Sequence, residues 1–589
     1  MLFATELEKK IHPAIPGECT VCIGLELRRA MAQRCPLPEN ALFLGLDSST
    51  QSLKATVLDA NFRVLCTQAV HFDSELPHYN TKDGVHRGSE GEVTAPVLMW
   101  VEALEVLFDK LKHDKFPFER VNAISGSGQQ HGSVYWKCTC ASETLKVLDA
   151  SKTLHSQLKD AFATRHSPIW MDSSTSKQCR AIETAMGGPD VLASITGSRA
   201  YERFTGPQIR KLYECHEDVY NNTERISLVS SFMASLMVGD YVGIDYSDGA
   251  GMNLMELRQR VWSKQVLDVT APRLEEKLGK LAPSHEVAGK LGAYFVDRYF
   301  FSPGCIVIHW SGDNPNSLAG LALDRPGDLA ISLGTSDTVF GITSDPHPGL
   351  EGHVFPNPVD PDTYMLMLCY KNGSLTREEV RNRVAEGSWE AFNKKLVETN
   401  PLNDKNVGFY YIEPEIIPPL PVGVHRFKLK VASSESTGLI TLTPEKVESF
   451  DSSTEVRAIV EGQFLSMRAH CERIGMPSPP EQVMVTGGGS ANKQFLRMIA
   501  EIFGCNVYTT ERPDSASLGA ALRAAHGWYC KSKGKFVPIS DLYIGREDGS
   551  ALQCRLAAEG GAKDLHEQYG MLAISRMNLE KKLIEELIS

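Results

Sequence analysis

A strand, a polar Gly/Ser/Thr turn and a returning strand occur twice in this chain, once near its start and once past its middle. The first copy runs through Leu42-Phe43-Leu44-Gly45-Leu46, turns at Asp47-Ser48-Ser49-Thr50-Gln51 and returns along Lys54-Ala55-Thr56-Val57-Leu58. The second copy is Asp328-Leu329-Ala330-Ile331-Ser332-Leu333, the turn Gly334-Thr335-Ser336-Asp337-Thr338, and Val339-Phe340-Gly341-Ile342. Short apolar runs bounded by turn residues read as buried strands. Two such units, each opening an α/β region, predict duplicated domains with a boundary near residues 322–328. A length of 589 residues accommodates two large domains with elaborations.

The expected organisation is an irregular N-terminal extension over 1–40, a first domain over 41–325, a second over 326–535, and a tail over 536–589. The first domain opens as a β-meander whose third strand lies near Val64. A helix over Pro96–Lys112 carries the apolar stripe Val97, Val101, Leu104, Leu107, Phe108 and Leu111, with Thr94 as its expected cap. Ile226–Val238 reads as a buried core helix, too short for the roughly 20 residues that cross a membrane. In the second domain a helix is expected near Val456–Arg473, closed by Gly475 and Pro477, and the Pro-rich stretch Tyr410–Phe427 reads as a loop or insertion. The tail carries an amphipathic helix over Met571–Ile588, expected to pack back on the body.

Gly/Ser/Thr turns offer backbone N–H and hydroxyl donors without bulky side chains, which suits contact with phosphate oxygens. Hairpin turns use the same residues for shape alone. The pair carries more weight, because two such turns in two domains can hold phosphate from both sides of a cleft. A third Gly-rich run, Val485-Thr486-Gly487-Gly488-Gly489-Ser490-Ala491-Asn492, follows a strand and precedes a helix. Its glycines permit close approach to a base or ribose, although a tight strand-to-helix connection needs them too. No GxxxxGK[ST] sequence occurs, and Gly126-x-Gly128-x-x-x-Gly132 has the wrong spacing for a dinucleotide fingerprint.

Two carboxylates stand at expected strand ends. Asp313, after the strand Cys305–Trp310 and just before Pro315, is placed either to accept a proton from a substrate hydroxyl or to cap the helix that follows. Asp47 is placed either to hold Mg²⁺, directly or through water, or to form an Asx turn. His131, in Ser125-Gly126-Ser127-Gly128-Gln129-Gln130-His131-Gly132, and Arg203 are candidate partners for sugar hydroxyls.

In order along the chain, Gly45-Leu46-Asp47-Ser48-Ser49-Thr50, Gly128-Gln129-Gln130-His131-Gly132, Gly312-Asp313-Asn314, Ser332-Leu333-Gly334-Thr335-Ser336 and Thr486-Gly487-Gly488-Gly489 resemble the FGGY carbohydrate kinases. Tyr201-Glu202-Arg203-Phe204-Thr205-Gly206, Asp245-Tyr246-Ser247-Asp248-Gly249 and Lys371-Asn372-Gly373-Ser374-Leu375 look most like its eukaryotic ketose-phosphorylating members. The resemblance, over roughly residues 42–530, implies two actin-like (ribonuclease-H-like) α/β domains around an ATP/sugar cleft. It implies ATP and Mg²⁺ as co-substrate and cofactor, and D-xylulose as the sugar. Asp313 would be the base, with His131, Arg203, Asp313 and Asn314 on the ketose. Asp47, Thr50 and Gln51 would meet the phosphates and metal, opposite Gly334, Thr335 and Ser336. Trp389, Gly488, Gly489 and Asn492 would border the adenosine. Two departures stand out: Gln130 replaces the Met of many bacterial members, and Trp170-Met171-Asp172 is followed by Ser173 and Ser174 where many carry Arg.

Other readings are a kinase for ribulose, another ketose, a polyol or glycerol, a non-catalytic sugar sensor, or an actin-like assembly protein. A net charge of -12 argues against a generic nucleic-acid binder. The 14 cysteines form no regular framework, which fits reduced thiols and a cytoplasmic setting better than a disulfide scaffold. Cys19-x-x-Cys22, with His12 and Cys35 nearby, lacks the regular partners of a zinc site. The leader shows no clean signal peptide, and Glu6, Glu8, Glu18 and Glu26 disfavour a transit peptide.

Overall fold

The computed structural model describes residues 36–138, 141–433, 440–510, 514–543 and 552–588. Cys19, Cys22, Cys35 and His12, with nearly all of the expected extension, lie outside them.

The first repeat forms β1 (Leu42–Ser48), β2 (Ser52–Asp59) and β3 (Val64–His71), an antiparallel meander. Helix α1 (Val97–His113) follows, and then β4 (Val121–Gly128), which lies parallel to β1. After β5 (Thr223–Leu228) and α2 (Val229–Val238), the chain adds β6 (Val287–Lys290), β7 (Ile306–Ile308), β8 (Ser311–Gly312) and α3 (Asp313–Gly320). The sheet order is β6-β7-β4-β1-β2-β3, with β8 prolonging the far edge of β4. Every residue of β1 is buried, as expected of a central strand covered on both faces.

The second repeat builds the same core order. Strands β9 (Asp328–Leu333) and β10 (Asp337–Thr343) form the hairpin, followed by β11 (His353–Pro356) and β12 (Tyr364–Tyr370). Helices α4 (Ser374–Val384) and α5 (Trp389–Glu398) lead to a separate antiparallel sheet of β13 (Asn406–Tyr411), β14 (Gly423–Ser433) and β15 (Ile440–Val447). Then come α6 (Ser452–Arg473), β16 (Gln482–Thr486), α7 (Lys493–Phe503), β17 (Val507–Thr509), α8 (Ser515–Lys533), β18 (Arg555–Ala558) and α9 (Lys563–Ile588). The second sheet runs β11-β12-β10-β9-β16-β17-β18. A meander feeding two parallel strands therefore occurs in both sheets, as β3-β2-β1-β4-β7 and β12-β10-β9-β16-β17. This is the duplication the repeat predicted, in the ribonuclease-H-like form the family resemblance implied.

Four local expectations change. Pro96, not Thr94, stands at the N-cap of α1; Thr94 belongs to the short strand Val93–Pro96, paired with His166–Pro168. The apolar run from Ile226 is split: residues through Leu228 pair with the strand Ser133–Lys137, and the helix starts only at Val229. The Ser231 hydroxyl receives the Leu228 N–H at 3.0 Å and fixes that junction. The two ends of Tyr410–Phe427 are strand, because Tyr410, Tyr411 and Phe427 are buried in the core under α6; residues 412–422, with their prolines, are the expected loop. Helix α8 falls within the span 326–535 expected for the second domain but lies on the first sheet.

That crossing needs small residues. A Cβ at Gly45 of β1 would sit 2.1 Å from the Ser517 carbonyl and 2.2 Å from the Ala521 nitrogen of α8, so only glycine lets helix and strand meet. Gly45→Val is expected to cost about 1–3 kcal/mol or more through overpacking. Urea unfolding would read it as a lower midpoint at unchanged m-value. The tail helix α9 docks on α6 through Glu580, which receives His470 at 2.9 Å and Arg576 at 2.8 Å. No helix among the described residues is long and apolar enough to cross a membrane.

Candidate active site

Both sheets end their parallel strands in the turns singled out by sequence. In the first, Asp47 of β1 is level with Ser127 of β4, and Ser127 with Ser311 of β8. The turn after β1, the run after β4 and the start of α3 thus share one carboxyl edge, where α/β sheets bind ligands. Asp47 is buried and accepts the Ser127 hydroxyl at 2.6 Å. Burial pushes its carboxyl up to about 7; the Ser127 bond opposes this and the nearby Asp313 charge adds to it. Lys54, across the β1–β2 register, pairs with Asp514 at 2.5 Å at the start of α8. Thr50 accepts the Trp170 indole N–H at 2.9 Å, whereas the Gln51 side chain is exposed. The donors near Asp47 are oxygens: its carboxylate and the Ser48 hydroxyl, which has no partner among the described residues. A carboxyl among oxygen donors is the chemistry that suits a hard divalent ion such as Mg²⁺.

Asp313 is the first residue of α3, with Gly312 at the N-cap, so its carboxylate is not the cap. It does accept Asn314 twice, from the backbone N–H at 2.8 Å and from Nδ2 at 3.1 Å. The Asn314 amide also donates to Gln130 Oε1 at 3.1 Å, so Gln130 braces the residue beside the proposed base. Burial raises the Asp313 carboxyl to about 6 against these hydrogen bonds. Around it, both amide atoms of Gln129 and Nε2 of Gln130 have no partner among the described residues. Buried polar atoms are ordinarily satisfied, so this convergence marks a place where a polar ligand completes the bonding.

Beside this cluster opens a small pocket. Gln130, His131, Tyr201 and Arg203 line one side; His353, Met367, Cys369, Ile416 and Ile417 line the other. His131 is buried at φ 69°, and its Nδ1 meets the Gly251 carbonyl at 2.8 Å. Burial, then the Arg203 and His353 charges, hold its pKa well below the usual histidine value, so the ring is neutral. Burial likewise lowers His353 to about 3, and its Nε2 has no partner among the described residues. The Arg203 guanidinium stacks on Tyr201, 5.4 Å from the ring centre. Two neutral imidazoles, a guanidinium and unpartnered amides offer hydrogen bonds suited to hydroxyls, with a single positive charge among them. Asp172 does not enter it: the carboxylate accepts Gln208 at 2.7 Å, the Val93 N–H at 2.9 Å and Ser174, and so braces the wall.

In the second sheet, Ser332 of β9 is level with Thr486 of β16, which brings the turns after them together. Thr335 and Ser336 are exposed at the tip, while Asp337 at its base is buried and accepts the Gly334 N–H at 3.2 Å. Gly487 has φ 78°, and a Cβ there would lie 2.5 Å from the Leu333 carbonyl, so close packing against β9 requires glycine. Gly488 faces open space. Asn492 caps α7 by accepting the Gln494 N–H at 3.0 Å and donates to Asn393 of α5 at 2.9 Å. Trp389 is one helical turn before Asn393, stacked under Arg381 at 4.7 Å, with its ring 6.1 Å from that of Phe495 on α7.

The structure thus gathers Asp47, Thr50, Asp313 and Asn314 at one sheet edge, His131 and Arg203 at the adjoining cavity, and Gly334, Thr335, Ser336, Gly488, Gly489, Asn492 and Trp389 at the other sheet edge. Sequence reading missed Ser127, His353, Met367, Cys369, Ile416 and Ile417. Ser127 lay within a quoted motif, but the others sit in ordinary strand and loop surroundings with no local signal.

Residues 159–320 match the N-terminal domain, and residues 329–528 the C-terminal domain, of the FGGY family of carbohydrate kinases. The chain is 60% identical over 553 residues to "Xylulose kinase 2" of Arabidopsis thaliana, covering 94% of this chain and 99% of that one. It is 48% identical over 501 residues to "Xylulose kinase" of Mus musculus, covering 85% and 88%. Among solved structures, a xylulose kinase from Rhodospirillum rubrum superposes with a TM-score of 0.71 at 17% identity, covering 92% of this chain and 99% of that one. A Plasmodium falciparum glycerol kinase with ADP gives a TM-score of 0.68 at 14% identity, covering 93% and 98%; at these identities the likeness concerns the fold. With both domains matched and near-full-length relatives at such identity, the chain belongs to the FGGY family of carbohydrate kinases.

Proposed function

We propose that the protein transfers the γ-phosphoryl group of ATP to D-xylulose, giving D-xylulose 5-phosphate and ADP, in the cytoplasm. The observation that carries the reading is Asp313, a half-buried carboxylate between the first phosphate turn and the polar cavity. The relatives' printed names supply the sugar. Buried free thiols at Cys179, Cys305, Cys471, Cys505 and Cys530 support a reducing compartment.

His131, Arg203 and Asn314 orient the ketose so that its terminal hydroxyl faces Asp313. Asp313 accepts that proton as the oxygen attacks the γ-phosphorus, and ADP leaves. Thr50 and Gln51 on one side, with Gly334, Thr335 and Ser336 on the other, hold the phosphates in line. Trp389, Gly488, Gly489 and Asn492 border the adenosine. Mg²⁺, held by Asp47, would neutralise charge building on the phosphates. Approach of the two sheet edges excludes water, which limits ATP hydrolysis without sugar.

A base must be ionised, and burial sets the Asp313 carboxyl near pH 6. At saturating Mg-ATP, kcat/KM for the ketose is expected to fall below about pH 6, roughly tenfold per unit, and to level above it. The substrate test is ADP release across D-xylulose, D-ribulose, other ketoses, polyols and glycerol. D-xylulose should give the highest kcat/KM; a clear preference for another sugar would refute the substrate. Nucleotide binding without stimulation by any sugar would instead indicate a sensor.

A further inference from the structure

The loop 412–422, within the stretch that sequence marked as a loop or insertion, reaches the cavity beside Asp313 with Ile416 and Ile417. Its anchor is Glu415, a buried carboxylate. Glu415 accepts the backbone N–H groups of Lys371 at 2.7 Å, Asn372 at 3.1 Å and Ile416 at 2.7 Å, and the Asn372 amide at 3.0 Å. Asn372 grips the loop in return, its Oδ1 receiving Ile412 N–H at 2.8 Å and Glu413 N–H at 3.1 Å. Few side chains hold so many N–H donors. The clasp fixes where the isoleucines stand.

It also leads to the phosphate turn. The Asn372 carbonyl accepts Gln463 Nε2 at 2.8 Å, and Gln463 Oε1 accepts Arg377 at 2.8 Å. Arg377 grips Asp337 at 2.6 and 3.0 Å, and Asp337 accepts the Gly334 N–H at 3.2 Å. A shorter route runs through Ser374, whose N–H donates to the Gly334 carbonyl at 2.9 Å. One hydrogen-bonded network within the second domain therefore joins the wall of the sugar cavity to the turn expected to hold phosphate.

We propose that Glu415 is a positioning residue that fixes the Ile416–Ile417 wall against the sugar and ties that wall to the Gly334–Ser336 turn. Productive phosphate geometry is thereby tied to a seated sugar. This rests on the reading of the cavity as the ketose site. Neither isoleucine nor Glu415 exchanges a proton with substrate; they set where the sugar and the turn lie relative to each other.

The test uses Glu415→Gln and Ile416→Ala in the full chain, with kcat, both KM values and sugar-independent ADP formation measured. The Gln amide turns an N–H group toward donors that need an acceptor, so Glu415→Gln should raise the D-xylulose KM about tenfold. It should also raise the ratio of sugar-independent to sugar-dependent ADP formation. Ile416→Ala removes wall but leaves the clasp, so it should raise the D-xylulose KM several-fold with the ATP KM unchanged. The proposal is overturned if Glu415→Gln keeps both the D-xylulose KM and the ratio within about twofold of the parent. A fall in kcat alone overturns it equally, since that is what a merely structural role would give. Should Glu415→Gln fail to fold, an unchanged D-xylulose KM in Ile416→Ala overturns it. A parent active only on another sugar refutes the substrate, and the same ratios are then read with that sugar. A parent inert on every sugar refutes both readings.

Discussion

Replacing Asp313 with Asn is expected to lower ketose-dependent turnover by about 10²–10⁴-fold, the range a positioned general base supplies. The substitution is nearly isosteric. It keeps an oxygen to accept the Asn314 N–H at the start of α3, so the bonds now made at 2.8 and 3.1 Å lose little. What it removes is the capacity to take a proton from the attacking hydroxyl. The loss should appear in kcat, with the D-xylulose KM changed far less, because an interaction made only in the transition state lowers kcat and kcat/KM together. Nucleotide affinity should hold, as the residues proposed for adenosine and phosphate lie on other elements. The acid limb near pH 6 should vanish with the carboxyl. Stopped-time ADP assays from pH 5 to pH 9 would check all three; a variant within about threefold of the parent in kcat would remove Asp313 from the role of base.

Arg377→Met carries the largest expected effect on stability. Arg377 and Asp337 are 1% and 0% exposed and form a bidentate pair at 2.6 and 3.0 Å. Removing one partner of a buried pair leaves an uncompensated charge, at a cost of about 3–5 kcal/mol. Burial already raises the Asp337 carboxyl from its ordinary 3.8 while Arg377 opposes the rise. In the variant it would rise further. An acid with a raised folded pKa destabilises as pH climbs from its unfolded pKa through the folded one. The penalty should therefore be larger at pH 8 than at pH 4. Denaturant midpoints at both values would read this, and the pair Asp337→Asn with Arg377→Met should recover part of the loss. An Arg377→Met protein as stable as the parent at pH 8 would refute the importance of the pair.

Much of the frame was legible because its signals are local. Apolar runs ending in Gly/Ser/Thr turns marked β1 with β2, and β9 with β10, and strand polarity then put both turns at sheet edges. Asp313 could be read as base or cap; Gly312 stands at the N-cap, which removes the capping reading, and the role of base is the proposal that Asp313→Asn tests. Elsewhere long-range contacts overrode local pattern. Ile226 joined a strand because Tyr135 lies opposite it, although its apolar neighbours suit a helix equally well. Helix α8 lies between β17 and β18 of the second sheet in sequence but packs on Gly45 of the first, a contact revealed only by tight spacing between distant segments. The cavity wall shows the same limit. His353, Met367 and Cys369 come from two strands, and Ile416 from a loop held by Asn372; no spacing in the sequence links them.

The most direct measurement is a structure of the protein with D-xylulose, Mg²⁺ and a non-hydrolysable ATP analogue. It should show the Asp313 carboxylate about 3 Å from the sugar hydroxyl nearest the γ-phosphate. The Asp47–Gln51 and Gly334–Ser336 turns should both contact the phosphates, with His131 and Arg203 on the sugar. A nucleotide held by one turn alone, or a sugar seated away from Asp313, would contradict the shared cleft.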